Sequence, residues 1–164
     1  MSRTHKTARA IAEEGLTYPA PIAEQHLGEQ SFGHWQGKTW DEMEAEDPAG
    51  FKAFWDDPVR GRPPGGESFA DLIARVSGVI DRYTESHAGQ DIVAVTHGGT
   101  IRAALAHSLK LAPEAGMAFS ISTLSVTCLE HVSGGLLRGR GGAWRIVRVN
   151  APPHAVTSLV KGGH

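Results

Sequence analysis

The sequence predicts an α/β fold with a mixed, mostly parallel sheet flanked by helices. Three observations carry this expectation. Phe69, Leu72, Ile73, Val76, Ile80 and Tyr83 recur at helical spacing and make one apolar stripe. Ile92-Val93-Ala94-Val95 is apolar on both faces, as in a strand buried between parallel neighbours, and it leads into His97-Gly98-Gly99 and a second amphipathic segment. Strand-like runs then follow to Val149, with Gly-rich sequence before the last. Helices interleaved with a buried strand and followed by a strand meander give an α/β order.

Taken in order, Ser2 to Glu14 contains no Pro or Gly, and Ala8, Ile11 and Ala12 share a helical face, so a helix is expected with Gly15 as its stop. Ile22 to Leu27, just after Pro19 and Pro21, alternates weakly and predicts a short strand. Glu29 to Lys38 is a loop with Gly33 and Gly37. Thr39 and Glu42 have capping-box spacing and start a helix to about Glu46; Asp47-Pro48 starts another to Trp55. A Pro/Gly-rich loop from Asp56 to Gly66 precedes Ser68 and Asp71, which open the clearest helix. Thr100 to Leu111 is again amphipathic, and strands are expected at Ala118 to Ile121, Leu124 to Val132 and Trp144 to Val149. From Ala151 to His164 the chain reads as a surface tail, and residues 1–164 as one domain.

Composition narrows the function classes. A chain of 164 residues should bury about 70% of its unfolded surface and can hold a real core. Lys plus Arg is 16 against Asp plus Glu 18, which argues against a nucleic-acid-binding stripe. One Cys excludes a disulfide framework, and Cys128 in a strand run reads as inert packing. No apolar run approaches the length of a membrane span and no apolar signal core opens the chain, so a cytoplasmic location is expected. The 9 His include no His-x-His or His-Glu-x-x-His pair, so no metal and no other cofactor is expected.

The most informative local feature is Val95-Thr96-His97-Gly98-Gly99-Thr100. Ligands of open α/β sheets collect where strands end, and the N–H groups of the following helix favour an anion there. Gly98 and Gly99 let a phosphate-sized group approach the backbone, and His97 could donate to its oxygens or exchange a proton; a capping or packing histidine is the plainer alternative. Gly33-x-x-x-Gly37-Lys38-Thr39 is one residue short of a nucleotide P-loop. On pattern alone Arg3 reads as a solvated basic residue, and Glu29 equally as a general acid or as surface charge.

Together these pieces resemble the histidine phosphatase superfamily, the phosphoglycerate mutase-like group, in its branch one. Ser2-Arg3-Thr4-x-x-Thr7-Ala8 resembles the end of the family's Ser-Pro-Leu-x-Arg-Ala-x-x-Thr-Ala motif. Leu27-x-Glu29-x-x-Phe32-Gly33-x-Trp35-Gln36-Gly37 resembles Leu-x-Glu-x-x-Phe-Gly-x-Trp-Glu-Gly, with Gln36 in place of Glu. Pro64-Gly65-Gly66-Glu67-Ser68 resembles the loop before the long helix, and Val95 to Arg102 the segment holding the second catalytic His. Asn150 and His154 resemble the closing Asn-x-x-x-His.

The resemblance implies a three-layer sandwich and phosphomonoester hydrolysis of a small phosphorylated metabolite, with the Leu-x-Glu-x-x-Phe-Gly-x-Trp pattern nearer the phosphatase than the mutase side. It implies Arg3 as a phosphate-gripping arginine, His97 as the group stabilising the transferring phosphoryl, and Glu29 as the acid that protonates the leaving alkoxide. Gly98 and Gly99 belong to the same pocket. The family's first strand, ending in Arg-His-Gly with the nucleophilic His, has no counterpart here, and Met1 falls at an internal position of the family's second motif. The expectation is therefore a phosphate pocket without its nucleophile: a phosphatase by lineage, or a pseudoenzyme that binds a phospho-ligand or partner. Without its neighbour, the Ile92 to Val95 strand is expected to present an apolar edge and to promote homo-oligomers.

Overall fold

The computed structural model describes residues 3–14, 20–139 and 142–156. The expected stop at Gly15, along with Ser2 and Pro19, lies outside them, as does the chain after 156. Helix α1 spans Arg3–Glu13, with an exposed ion pair one turn apart between Arg9 and Glu13 at 2.6 Å. The strand expected over Ile22 to Leu27 is not formed. Its end instead makes a 3-10 turn, Gln25–Leu27, capped by the Glu24 carboxylate on the His26 N–H. That bond holds the Glu24 carboxyl below its usual range.

The capping signals set the next helices. Helix α2 spans Trp40–Glu46 with the Thr39–Glu42 box closed in both directions. Helix α3 spans Pro48–Asp56, its first turn capped by Asp47 accepting from the Gly50 N–H at 2.9 Å. Helix α4, Phe69–Ser86, starts at a second closed box, where Ser68 accepts from the Asp71 N–H and donates its hydroxyl to the Asp71 carboxylate at 2.6 Å. Ser68 holds the Asp71 carboxyl below its usual range, aided by Arg62 at 2.7 Å. Helix α5 spans Gly98–Ser108, and α6 is the single turn Pro113–Gly116.

Two strands pair among the described residues. β1, Val126–His131, and β2, Trp144–Ala151, form an antiparallel ribbon with Glu130 opposite Arg145 and His131 opposite Trp144. The chain is α/β, as expected, but the sheet is smaller than expected. Ala118 to Ile121 forms no strand, and Ile92 to Val95 forms none either. The buried mid-sheet position expected for Ile92 and Val93 is corrected: they are 51% and 61% exposed. A strand needs a neighbour to close its backbone hydrogen bonds, and none pairs with this segment among the described residues. Ala151, expected to begin a surface tail, instead ends β2 opposite Val126.

The core sits where α4 crosses α5. Phe69, Leu72, Val76 and Ala103 are buried together, with Leu27, Ile73, Ile80 and Ala104 packed around them. Full burial of a side chain such as Leu72 is worth about 1.5–3 kcal/mol. A second cluster joins Trp35, Met43 and Phe54, with Phe32 and Phe51 against them, and anchors the loop after Glu29 to α2 and α3. No helix among the described residues is long and apolar enough to cross a membrane.

Candidate functional site

The site forms where three segments converge on the first turn of α5. His97 is the N-cap residue, with extended backbone, and its carbonyl accepts from the Ile101 N–H at 3.0 Å. Its imidazole makes no capping bond, so the plain capping reading does not hold. The ring faces Arg3 of α1, whose Nη2 lies 3.4 Å from Nδ1. A guanidinium can only donate, so Nδ1 is the acceptor, and a neutral ring keeps its proton on Nε2. Glu29 Oε2 stands 3.9 Å from the same Nδ1, beyond hydrogen-bond range but close enough to act through its charge. The His97 side chain is 15% exposed and that of Glu29 37%, so both reach solvent.

Glu29 is held by a strap of backbone from His26 to Ser31. Thr96 donates its hydroxyl to the Leu27 carbonyl at 2.5 Å, and buried Thr100 donates to the Gly28 carbonyl at 2.7 Å. Both threonines flank His97 and its glycines in sequence, so α5 carries the histidine and grips the strap bearing the carboxyl. Glu29 Oε1 accepts from the Gln30 N–H at 3.0 Å. The carboxyl lies against Gly99, where an added Cβ would collide with Glu29 Oε1 and come 3.3 Å from Leu72 Cδ2. Beside Gly98 the nearest side chain is Ile121, on a loop tied by Arg102 to the Phe119 carbonyl and by Asn150 to the Ser122 N–H.

A fixed cation, an imidazole and a carboxyl thus meet at a helix N-terminus, whose first N–H groups lack intrahelical acceptors. The arrangement suits an oxyanion: the guanidinium and helix end attract it, and the imidazole and carboxyl can exchange protons with it. All five residues expected at the site, Arg3, Glu29, His97, Gly98 and Gly99, fall within this convergence. The P-loop alternative does not fit. Gly33, at φ +52°, presses against the backbone of Pro64 to Gly66, and the His34 N–H donates to the Pro64 carbonyl at 2.8 Å, so this turn is packed against protein. Among the described residues, no three His, Cys, Asp or Glu side chains are grouped as metal ligands would be.

The family model of the histidine phosphatase superfamily (branch 1) matches residues 1–151. The chain belongs to that superfamily. Over 142 residues it is 32% identical to the 2,3-bisphosphoglycerate-dependent phosphoglycerate mutase 2 of Gloeobacter violaceus, covering 82% of this chain and 63% of that relative. Over 104 residues it is 33% identical to a metal-independent phosphoserine phosphatase of Arabidopsis thaliana, covering 63% of this chain and 43% of that one. The chain therefore spans roughly half the length of these curated relatives.

Solved structures share the fold. YhfR of Bacillus stearothermophilus superposes with a TM-score of 0.76 at 27% identity over 93% of this chain and 71% of its own. Mycobacterial glucosyl-3-phosphoglycerate phosphatase in complex with inorganic phosphate superposes at 0.73 with 29% identity, over 92% of this chain and 73% of that one.

Residues that sequence reasoning did not single out complete the site. Thr100 stood in the His-Gly-Gly segment and Glu67 in the Pro64 to Ser68 motif with no role given, and Arg75, which closes around the strap with Glu67, carried no local signal. Their work is done through backbone carbonyls and N–H groups, which have no signature in residue spacing.

Proposed function

We propose that Arg3, Glu29 and His97 form the phosphoryl-handling part of a phosphomonoesterase centre acting on a small phosphorylated substrate. The observation that carries this is their convergence: Arg3 at 3.4 Å and Glu29 at 3.9 Å from one nitrogen of His97, at the start of α5. Arg3 offers a planar fork to two phosphoryl oxygens. His97 donates to the transferring phosphoryl, where stabilisation of equatorial charge supplies most of the catalysis. Water attacks phosphorus as the ester P–O bond breaks, Glu29 gives its proton to the departing alkoxide oxygen, and the proton shed by the water restores the Glu29 carboxyl. The named relatives support a phosphorylated small molecule as the substrate class, and the metal-independent relative supports a reaction without a metal.

A second reading is favoured by one observation. His97 Nδ1 accepts from Arg3 and a neutral ring carries its proton on Nε2, so this imidazole has no free lone pair with which to take a phosphoryl group. On this reading the pocket binds a phospho-ligand without turning it over.

The test is hydrolysis of p-nitrophenyl phosphate by the 164-residue chain beside its His97→Ala variant, with orthophosphate binding measured on both. Turnover lost in the variant supports the first reading. Binding without turnover supports the second. No binding and no turnover overturns both.

Gly99→Ala gives an independent check. The methyl group displaces the Glu29 carboxyl and presses on the fully buried Leu72 Cδ2 at 3.3 Å. We expect altered orthophosphate affinity in a variant that still melts cooperatively. Wild-type affinity would show that Glu29 does not stand beside the bound anion.

A further inference from the structure

We propose that Arg75 is the positioning residue for Glu29, and that it acts by clamping the His26 to Ser31 strap between itself and Glu67. The inference rests on the functional reading above. Arg75 lies on α4, and its side chain runs back toward the helix N-terminus, as helical side chains do, to reach Glu67 just ahead of the cap. Nε donates to Glu67 Oε2 at 3.1 Å and Nη2 to Oε1 at 2.6 Å, the two parallel bonds of a fork on a carboxylate. Both side chains are largely covered, 21% and 18% exposed, so the geometry is not that of a loose surface pair.

The rest of the guanidinium is spent on the strap. Nη1 donates to the His26 carbonyl at 2.7 Å, and longer contacts of 3.4 Å reach the carbonyls of Gly28 and Glu29. Glu67 closes the other side. Its Oε1 accepts from the Ser31 N–H at 2.9 Å, its N–H donates to the Ser31 carbonyl at 2.9 Å, and its carbonyl accepts from Gln30 Nε2 at 3.0 Å. The strap is thus fastened on α4 through Arg75, on α5 through Thr100 and on the segment leading into α5 through Thr96, with Glu29 at its centre. These two sets of bonds set the distance from the Glu29 carboxyl to His97. A lysine at 75 has one compact ammonium and cannot make the fork and reach the carbonyls together.

A purely structural pair would stabilise the start of α4 and nothing else, so the readout must follow Glu29 itself. Orthophosphate binding to the 164-residue chain, measured by calorimetry in buffers of different ionisation enthalpy between pH 5 and 8, gives the protons taken up with the anion. Among the described residues, the charged or titratable groups around Glu29 and its strap are His97 at 3.9 Å from the carboxyl, Arg3 on the same imidazole, and Arg75 and Glu67 on the strap backbone. The Glu29-dependent part of the uptake is defined by Glu29→Gln. The expected result is loss of that part in Arg75→Gln, a partial loss in Arg75→Lys, and no further change when Arg75→Gln is added to Glu29→Gln. Arg75→Lys keeps the cation and carries the test where Arg75→Gln does not fold.

Arg75 variants that melt earlier yet keep wild-type proton uptake overturn the proposal, as does an additive double variant. Failure of the wild-type chain to bind orthophosphate overturns the functional reading and this inference with it. An effect of Glu29→Gln without one from either Arg75 variant overturns this inference alone.

Discussion

Replacing His97 with alanine is expected to weaken orthophosphate binding about ten- to a hundredfold, with little change in stability. The size follows from removing one hydrogen bond to a charged group, worth about 1.5–3 kcal/mol, where each 1.4 kcal/mol is tenfold. The small stability effect follows from the ring's position. It makes no capping bond, and the backbone bond from Ile101 to the His97 carbonyl survives the substitution. His107→Ala is the matched control. It lies on the last turn of the same helix, paired with Asp81 at 2.8 Å, and should leave phosphate affinity unchanged. Calorimetry on the two variants checks this; equal affinities would contradict the assignment of His97.

Trp35→Ala is expected to be the most destabilising single change, costing about 3–5 kcal/mol. Trp35 is 2% exposed, meets the Phe54 ring edge-on at 5.7 Å and lies 6.2 Å from Phe51. It is the only large side chain the strap's following turn contributes to the cluster at full burial; Phe32 packs against that cluster less completely. Whole-domain stabilities run about 5–15 kcal/mol, so such a loss removes a large share. Urea denaturation should show a lower midpoint with an unchanged slope. A loss below about 1 kcal/mol would show that α2 and α3 hold without this ring, against the usual cost of emptying an aromatic core position.

The helix starts were the most legible part of the fold because a cap is a local event. Thr39 with Glu42, Asp47 with Pro48 and Ser68 with Asp71 each satisfy N–H groups within a few residues, so the pattern is complete in the sequence. Strands are different, since their bonds are closed by distant segments. Ile92 to Val95 has the composition of a buried strand, but its burial depends on neighbours, and none pairs with it among the described residues. The alternation near Pro21 was too weak to hold a strand and gave way to a capped turn.

The site divides in the same way. His97, Gly98 and Gly99 were readable from their place between an apolar run and a helix. Glu29 read by pattern equally as a general acid or as surface charge, and Arg3 became a candidate only through the resemblance; the fold then brings them to one imidazole nitrogen. Arg75 and Thr100 donate to carbonyls up to 72 residues away, and Glu67 accepts from the Ser31 N–H 36 residues away, an arrangement no local spacing encodes.

The most direct test of the site is a titration of the isotopically labelled chain with orthophosphate, followed by amide NMR. The largest shifts are expected on the N–H groups of Gly98, Gly99 and Gln30, and in His97→Ala they should need about ten- to a hundredfold more phosphate. Shifts centred elsewhere, or none at millimolar phosphate, would contradict a phosphoryl site at the start of α5.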